Sequence, residues 1–187
     1  MILYPTETVY GLGVNALDRA ELDQLFALKG RDSTQVASWL VRDIVDIEMY
    51  ADLSDTARAV AEEFLPGPLT LVLKAKENIP PEILAQDGTI GFRVSSDPVA
   101  MELIERYMAE HDAPLTCTSA NVHGKPTLST PDKILEQFGE AGTVITEVID
   151  GGEREGVAST VVRVIDDAVE VLREGVISEA VILELTA

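Results

Sequence analysis

The sequence predicts an α/β domain with one mixed β-sheet and flanking helices. Strand-like apolar runs alternate with amphipathic stretches along the chain, which is the pattern of α/β proteins. The last strand-like runs, residues 143–150, 160–165 and 168–172, are separated by short Gly- and Asp-rich turns, which is typical of antiparallel neighbours. We therefore expect a mixed sheet, and a single domain over residues 1–187, because one domain usually has about 100–200 residues.

The other elements follow from spacing and end signals. Ser54 is a suitable N-cap for a helix that Pro66-Gly67-Pro68 would end, and Pro98 and Pro131 are placed for the first turn of two further helices. Residues 178–185 fit a helix or a strand equally well. The remaining expected strands are residues 1–4, 36–41, 69–75, 89–94 and 115–118, and the expected helices are residues 19–28, 54–64, 98–110 and 131–138.

Composition restricts the classes of function. The 33 acidic and 14 basic residues give a net charge of −19, which repels phosphate backbones and disfavours nonspecific nucleic-acid binding. No apolar run approaches the roughly 20 residues of a membrane-spanning helix, and no signal peptide is visible. A single cysteine excludes an internal disulfide framework, and two scattered histidines indicate no metal site. We expect an acidic cytoplasmic protein that does not associate with a membrane.

Two segments in the N-terminal part carry polar residues that packing does not require. Residues 4–13, YPTETVYGLG, can offer hydroxyl and backbone N–H groups to an oxygen-rich ligand, although a simple glycine-containing turn explains them as well. Lys29-Gly30-Arg31 can bind a polyphosphate, or can equally be the basic end of a helix with Gly30 as its cap. The residues alone leave both alternatives open.

Two further segments lie in the C-terminal part. Residues 116–121, TCTSAN, place small hydroxyl residues and an asparagine at a strand end, where ligands commonly bind in open α/β sheets. A Ser- and Asn-rich turn is the alternative. Residues 150–152, 158–163 and 171–175 are turns and strand ends with a few arginines, and taken alone they support no function.

Taken together and in order, these segments resemble the YrdC/TsaC family, the threonylcarbamoyl-AMP synthases. The resemblance runs from Tyr4 to Gly175. Its matching segments are YPTETVYGLG, KGR, PGPLTLVL, GFRV, TSAN, DGG, STVV and LREG. It implies a YrdC-like twisted mixed β-sheet with flanking helices and a deep substrate cleft.

The resemblance also implies a reaction and its participants. L-Threonine, bicarbonate and ATP, with Mg²⁺, would give L-threonylcarbamoyl-adenylate and pyrophosphate. A threonylcarbamoyl-transferase complex would then modify tRNA, so that tRNA is an indirect partner. The alternatives are a carbamoyl-adenylate-forming enzyme and a noncatalytic paralogue that binds double-stranded RNA.

Site residues are carried over from the family position by position. Lys29 and Arg31 are the implied catalytic residues. The implied ATP-binding residues are Lys29, Arg31, Gln35, Ser119, Asn121, Thr127 and Arg173, and the implied threonine-binding residues are Thr8, Arg93, Cys117 and Ser159. The chain departs from the family after Arg31, where Asp32 adds a negative charge beside the expected phosphate site.

Overall fold

The computed structural model describes residues 1–31 and 36–186, which contain one nine-stranded sheet. In chain order the strands are β1 (Ile2–Tyr4), β2 (Gly11–Gly13), β3 (Ser38–Leu40), β4 (Leu69–Lys74), β5 (Thr89–Arg93), β6 (Leu115–Ser119), β7 (Glu147–Val148), β8 (Thr160–Ile165) and β9 (Ala168–Arg173). Their order across the sheet is β7-β1-β2-β6-β3-β5-β4-β8-β9. Three neighbouring pairs are parallel, β1–β7, β3–β5 and β4–β8, and the others are antiparallel, which confirms the predicted mixed sheet.

The helices begin where the sequence provides caps. The side chains of Asp18, Ser54 and Asp97 each accept backbone N–H groups of the first turn, as N-cap residues do. None of the described helices is long and apolar enough to cross a membrane. The helices are α1 (Arg19–Lys29), α2 (Ile44–Tyr50), α3 (Asp55–Phe64), α4 (Pro98–His111), α5 (Pro131–Phe138) and α6 (Glu179–Leu185).

The structure differs from the sequence-based expectation in three places. Residues 11–13 are a strand, because they pair with β1 on one side and β6 on the other despite two glycines. Helix α2 was not expected. The expected strand over residues 143–150 is wrong for most of its length: residues 139–144 form 3₁₀ turns, and β7 has two residues because it pairs only with the three-residue β1.

The alternation of side chains along the central strands places the core and the cleft on defined faces. Trp39 packs edge-on against Tyr50 and Phe92, with ring centroids 5.3 and 5.9 Å apart. The side chain of its neighbour Leu40 lies on the other face of the sheet, where it packs in a cluster with residues of α4. Since side chains alternate along a strand, Ser38 lies on the same face as Leu40. Helix α4 therefore covers one part of this face and leaves the part around Ser38 for a cavity.

Candidate active site

A cavity of about 310 Å³ opens on the sheet face around Ser38. Its size is at the lower end of the roughly 300–1,000 Å³ usual for small-molecule sites. Seven strands, the turn between β1 and β2, and the connection before β8 contribute to its wall. The lining residues are Thr6, Thr8, Val9, Tyr10, Gly11, Arg31, Val36, Ala37, Ser38, Thr70, Arg93, Cys117, Thr118, Ser119, Thr127, Ala158, Ser159, Val161 and Arg173.

Most of the residues predicted from the sequence meet at this cavity. The predicted residues that line it are Thr8, Arg31, Arg93, Cys117, Ser119, Thr127, Ser159 and Arg173. Lys29 and Asn121 do not line it but contact the lining residue Ser119. Gln35 lies outside the described residues. The four segments, which are far apart in sequence, thus form one site.

Helix α1 delivers Lys29 to the base of this site. The helix ends at Gly30, whose φ of 64° is the left-handed conformation of a helix C-cap. The Lys29 side chain is buried, and its Nζ donates to the backbone oxygens of Ser119 and Asn121, the latter at 3.0 Å, and to Oδ1 of Asn121 at 3.4 Å. Burial, and secondly the charge of Arg31, lower the pKa of Lys29 to about 7. The segment is therefore both a helix terminus and a part of the site.

The loop after β6 is held in place by its own amide and hydroxyl groups. Ser119 Oγ donates to Oδ1 of Asn121 at 2.6 Å, and Nδ2 of Asn121 donates to the carbonyl oxygen of Lys125 at 2.6 Å. Arg31 reaches the same strand, with Nη1 3.4 Å from Oγ1 of Thr118. Burial lowers the pKa of Arg31. Two cations and a fixed polar loop thus lie side by side at this end of the cavity.

Arg93, the last residue of β5, lines another part of the cavity wall. It forms a buried ion pair with Glu7, whose carboxylate also accepts from Ser95 Oγ. Within the described residues, Nε of Arg93 has no hydrogen-bond partner. Because a buried polar group normally has a partner, this N–H is available to an anionic ligand in the cavity.

Ser159 and Arg173 complete the wall on the β8–β9 side. Ser159 Oγ lies 2.8 Å from Oγ1 of Thr70, and its carbonyl oxygen accepts from Nη2 and Nε of Arg173 at 2.8 and 3.3 Å. Burial, followed by the charges of Arg93 and Arg31, lowers the pKa of Arg173. Three guanidinium groups therefore share one cavity in a chain with a net charge of −19.

Hydroxyl and thiol groups occupy the floor between the arginines. Thr8 Oγ1 lies 3.0 Å from Oγ1 of Thr6, which donates to the carbonyl oxygen of Val9 at 2.7 Å. Cys117 is the thiol, and burial raises its pKa. A raised pKa reduces the thiolate fraction and makes a nucleophilic role unfavourable. The cavity thus provides cations and oriented hydroxyls and is suited to a ligand with several anionic oxygens.

A second cavity of about 400 Å³ lies between α1 and residues 81–88. Its wall is formed mainly by apolar side chains such as Leu22, Phe26 and Ile83, and it includes none of the predicted site residues. The cluster of arginines and hydroxyls distinguishes the cavity around Ser38 as the candidate active site.

Comparison with known proteins places this geometry in a family. The family model for Sua5, YciO and YrdC, described as telomere recombination, matches residues 1–175. The chain belongs to the Sua5/YciO/YrdC family. This confirms the resemblance drawn from the sequence motifs, and the twisted mixed sheet with flanking helices is the fold of the Sua5 and YciO neighbours.

Three relatives illustrate the range of the family. A Methanocaldococcus jannaschii protein named putative threonylcarbamoyl-AMP synthase is 37% identical over 178 residues, which are 95% of this chain and 80% of that protein. A Pyrococcus abyssi threonylcarbamoyl-AMP synthase is 36% identical, over 94% of this chain but 50% of its own length. The structure of P. abyssi Sua5 complexed with L-threonine superposes with a TM-score of 0.87 at 34% identity, covering 98% of this chain and 53% of that one.

Sequence reasoning missed several residues of the site. Glu7 lies inside the first motif, and its position between two threonines was the one sequence signal that it belongs to the site. Its pairing with Arg93 could not be predicted, because Arg93 lies in β5, 86 residues further along the chain. Thr70 lies in an apolar strand and looks like an ordinary β-branched strand residue. Arg154 lies in a connection without regular structure, where no spacing rule gives a side-chain direction.

Proposed function

We propose that this chain is an L-threonylcarbamoyladenylate synthase that uses L-threonine, bicarbonate and ATP. The observation that carries the proposal is the convergence of Arg31, Arg93 and Arg173 with hydroxyl groups in one cavity. The relatives named threonylcarbamoyl-AMP synthase, and the relative complexed with L-threonine, support it.

The reaction joins anionic partners, and the site is suited to it for that reason. The threonine amine and bicarbonate form a carbamate with loss of water. A carbamate oxygen then attacks the α-phosphorus of ATP, a new P–O bond forms, and the bond to the leaving pyrophosphate breaks. Because the attacking and leaving groups are both negative, cations and oriented donors are needed more than a strong base. Holding three substrates in line supplies a large part of the rate enhancement.

Lys29 and Arg31 would serve the phosphate end. The Nζ of Lys29 already donates its hydrogen bonds to Ser119 and Asn121. In this geometry Lys29 would act on a phosphate through its charge and by holding the loop after β6 in place. Arg31 lines the cavity and would contact phosphate oxygens directly. Ser119, Asn121, Thr127 and Arg173 complete the proposed ATP site, together with Gln35, which lies outside the described residues. Along residues 1–31 and 36–186 no carboxylate lines the cavity, so Mg²⁺ would enter with the phosphates of ATP.

Arg93 would serve the threonine end. Its Nε, which has no partner among residues 1–31 and 36–186, and its guanidinium plane suit a carboxylate, since arginine binds carboxylates in a planar, two-bond geometry. Thr8 and Ser159 would orient the amine and the side chain, and Cys117 would contribute a small uncharged surface. The adenylate would pass to a threonylcarbamoyl-transferase complex that modifies tRNA, so that tRNA would be an indirect partner and the enzyme would act in the cytoplasm.

Pyrophosphate release tests the proposal directly. The purified chain is incubated with MgATP and bicarbonate, and release is compared with threonine, with serine and with no amino acid, at low and high salt. Release that requires both threonine and bicarbonate is the expected result. Release that requires carbamoyl phosphate would instead indicate carbamoyl-adenylate synthesis. Salt-sensitive binding of double-stranded RNA without any release would indicate the noncatalytic alternative, and either outcome would overturn the proposal.

A further inference from the structure

A chain of polar contacts leads away from Arg93 through residues that do not line the cavity. Glu7 accepts from Arg93 with one carboxylate oxygen and from Ser95 Oγ with the other. The same Ser95 Oγ accepts the backbone N–H of Asp97 at 3.2 Å. Asp97 in turn forms an ion pair with Arg154, with Oδ2 and Nη2 2.8 Å apart. We call Glu7, Ser95, Asp97 and Arg154 the Arg93 network.

The network joins three separate parts of the fold. Arg154 lies in the β7–β8 connection (residues 149–159), which has no regular secondary structure and ends with the cavity residues Ala158 and Ser159. Besides Asp97, its guanidinium donates to the carbonyl oxygens of Thr6 at 3.1 Å and of Gly151 at 2.6 Å. One side chain therefore ties the connection to the β1–β2 turn and to the start of α4.

Close packing keeps the same connection against the β1–β2 turn. A Cβ on Gly156 would lie 2.0 Å from the carbonyl oxygen of Thr8, a distance that no side chain tolerates. The connection is thus in backbone contact with a residue that lines the cavity. Since only glycine permits so close an approach, position 156 and the Arg154 contacts fix the connection at two points.

The burial of the ion pairs indicates that the network has a fixed geometry. The Arg93 and Glu7 side chains are 6% and 15% exposed, and those of Arg154 and Asp97 are 22% and 7% exposed. Both oxygens of Glu7 are used, and Glu7 is not among the residues that line the cavity. The contacts of Glu7 therefore hold the Arg93 side chain from a position outside the cavity lining. An arginine whose position is fixed before binding loses less side-chain entropy when its ligand arrives.

We propose that Glu7 and Ser95 are positioning residues that orient Arg93 toward the carboxylate of threonine, and that the Arg154–Asp97 ion pair anchors this arrangement to the β7–β8 connection. The inference rests on the proposed function, because it takes threonine as the ligand of Arg93. The inference assigns the Arg93 network to threonine alone. Weakening the network should reduce the affinity for threonine and leave the affinity for ATP nearly unchanged.

Three substitutions in the full chain test this assignment. Glu7→Gln removes the charge at constant shape, Ser95→Ala removes one contact of the carboxylate, and Arg154→Gln breaks the distal ion pair. Glu147→Gln is the matched control, because Glu147 pairs with Arg106 at 3.1 Å on the exposed surface. Threonine binding is measured by calorimetry, and the KM of threonine, the KM of ATP and kcat are measured by pyrophosphate release. Melting temperatures report on folding.

For Glu7→Gln we expect the dissociation constant and KM of threonine to rise about 10-fold, because the ion pair that holds Arg93 becomes a neutral-acceptor hydrogen bond of roughly half the strength. Ser95→Ala and Arg154→Gln should show the same selectivity with smaller effects, and Glu147→Gln should behave as the unmodified protein. Equal losses of threonine and ATP affinity, or unchanged threonine affinity, would overturn the inference. If Glu7→Gln does not fold, Ser95→Ala decides, because it leaves both charges in place. An unmodified chain that does not bind threonine would instead contradict the proposed function.

Discussion

Positive charge is balanced differently in two regions of the site: around Arg93, the proposed threonine end, and around Lys29 and Arg31, the proposed phosphate end. At the threonine end Arg93 is paired with the carboxylate of Glu7, and a second ion pair lies behind it. At the phosphate end, among the residues that the structure describes, Lys29 and Arg31 contact only neutral oxygens. Burial, and secondly the charge of Arg31, lower the pKa of Lys29 to about 7.

This difference matches the charges of the proposed ligands. A buried cation without a counter-charge is costly, on the order of several kcal/mol for each ion, and is retained where a ligand supplies the missing negative charge. ATP carries that charge, whereas threonine carries a carboxylate and an ammonium group of its own. In this proposal the protein supplies the counter-charge at the threonine end, and ATP supplies it at the phosphate end. The predictions below test this division.

The largest expected effect is on the phosphate end. Lys29→Met shortens the side chain by one atom and removes both its charge and its hydrogen bonds to Ser119 and Asn121. We expect pyrophosphate release to fall by about 100-fold or more, the size of effect seen when a donor to transition-state charge is lost. Threonine binding, measured by calorimetry, should change by less than about threefold, since effects at separate sites are nearly independent.

The control for this substitution is Lys74→Met. Lys74 is an exposed lysine of β4 that also donates to a backbone oxygen, that of Asp87, at 2.6 Å. Its loss should leave both the rate and threonine binding unchanged. A Lys29→Met variant that keeps its rate, or that loses threonine affinity as well, would contradict the division into two ends.

A pH series gives the next effect. Above pH 7 most Lys29 side chains in the empty site are neutral, because the pKa of Lys29 is about 7. ATP favours the charged form, so that binding above this pH takes up a proton. The dissociation constant of ATP should then rise by up to about tenfold for each pH unit above about 7. Proton uptake, measured by calorimetry in buffers of different ionisation enthalpy, should rise toward one per ATP.

The same shift has a defined sign for stability. An unfolded lysine has a pKa near about 10.4, so that between about pH 7 and that value the unfolded chain binds more protons than the folded one. The contribution of Lys29 to the free energy of unfolding therefore increases with pH across this window. Lys29→Met should remove both the proton uptake and this contribution. A variant that retains the pH dependence of ATP affinity would assign it to another group.

The sequence predicted the fold and the members of the site better than it predicted their contacts. The order of strands and helices was accessible because apolar spacing and caps such as Ser54 and Asp97 are local signals. β2 was not accessible, because its two glycines have little β propensity and only pairing on both sides makes it a strand. Helix α2 was missed for a related reason: its seven residues are too few to establish a helical period.

The contacts within the site depend on the tertiary structure. The motifs indicated that Lys29 belongs to the site. Only the folded structure shows that its Nζ donates to the backbone oxygens of Ser119 and Asn121 and that Lys29 does not line the cavity. The Glu7–Arg93 pair joins a turn to a distant strand, and Arg154 acts from a segment without periodicity. A sequence pattern names the residues of such a site, whereas their partners are set by topology.

The smallest expected effect concerns Cys117, which marks the floor between the two ends. Burial raises the pKa of this thiol, and therefore we expect slow alkylation by iodoacetamide at neutral pH. Because Cys117 lines the cavity beside the proposed threonine site, saturating threonine should slow alkylation several-fold, since the thiol then reacts only in the fraction of sites that threonine leaves empty. ATP alone should slow it less, since its proposed site is at the other end. Mass spectrometry of the alkylated peptide gives the rate with threonine and the rate with ATP. An alkylation rate that threonine leaves unchanged would place the amino acid away from Cys117.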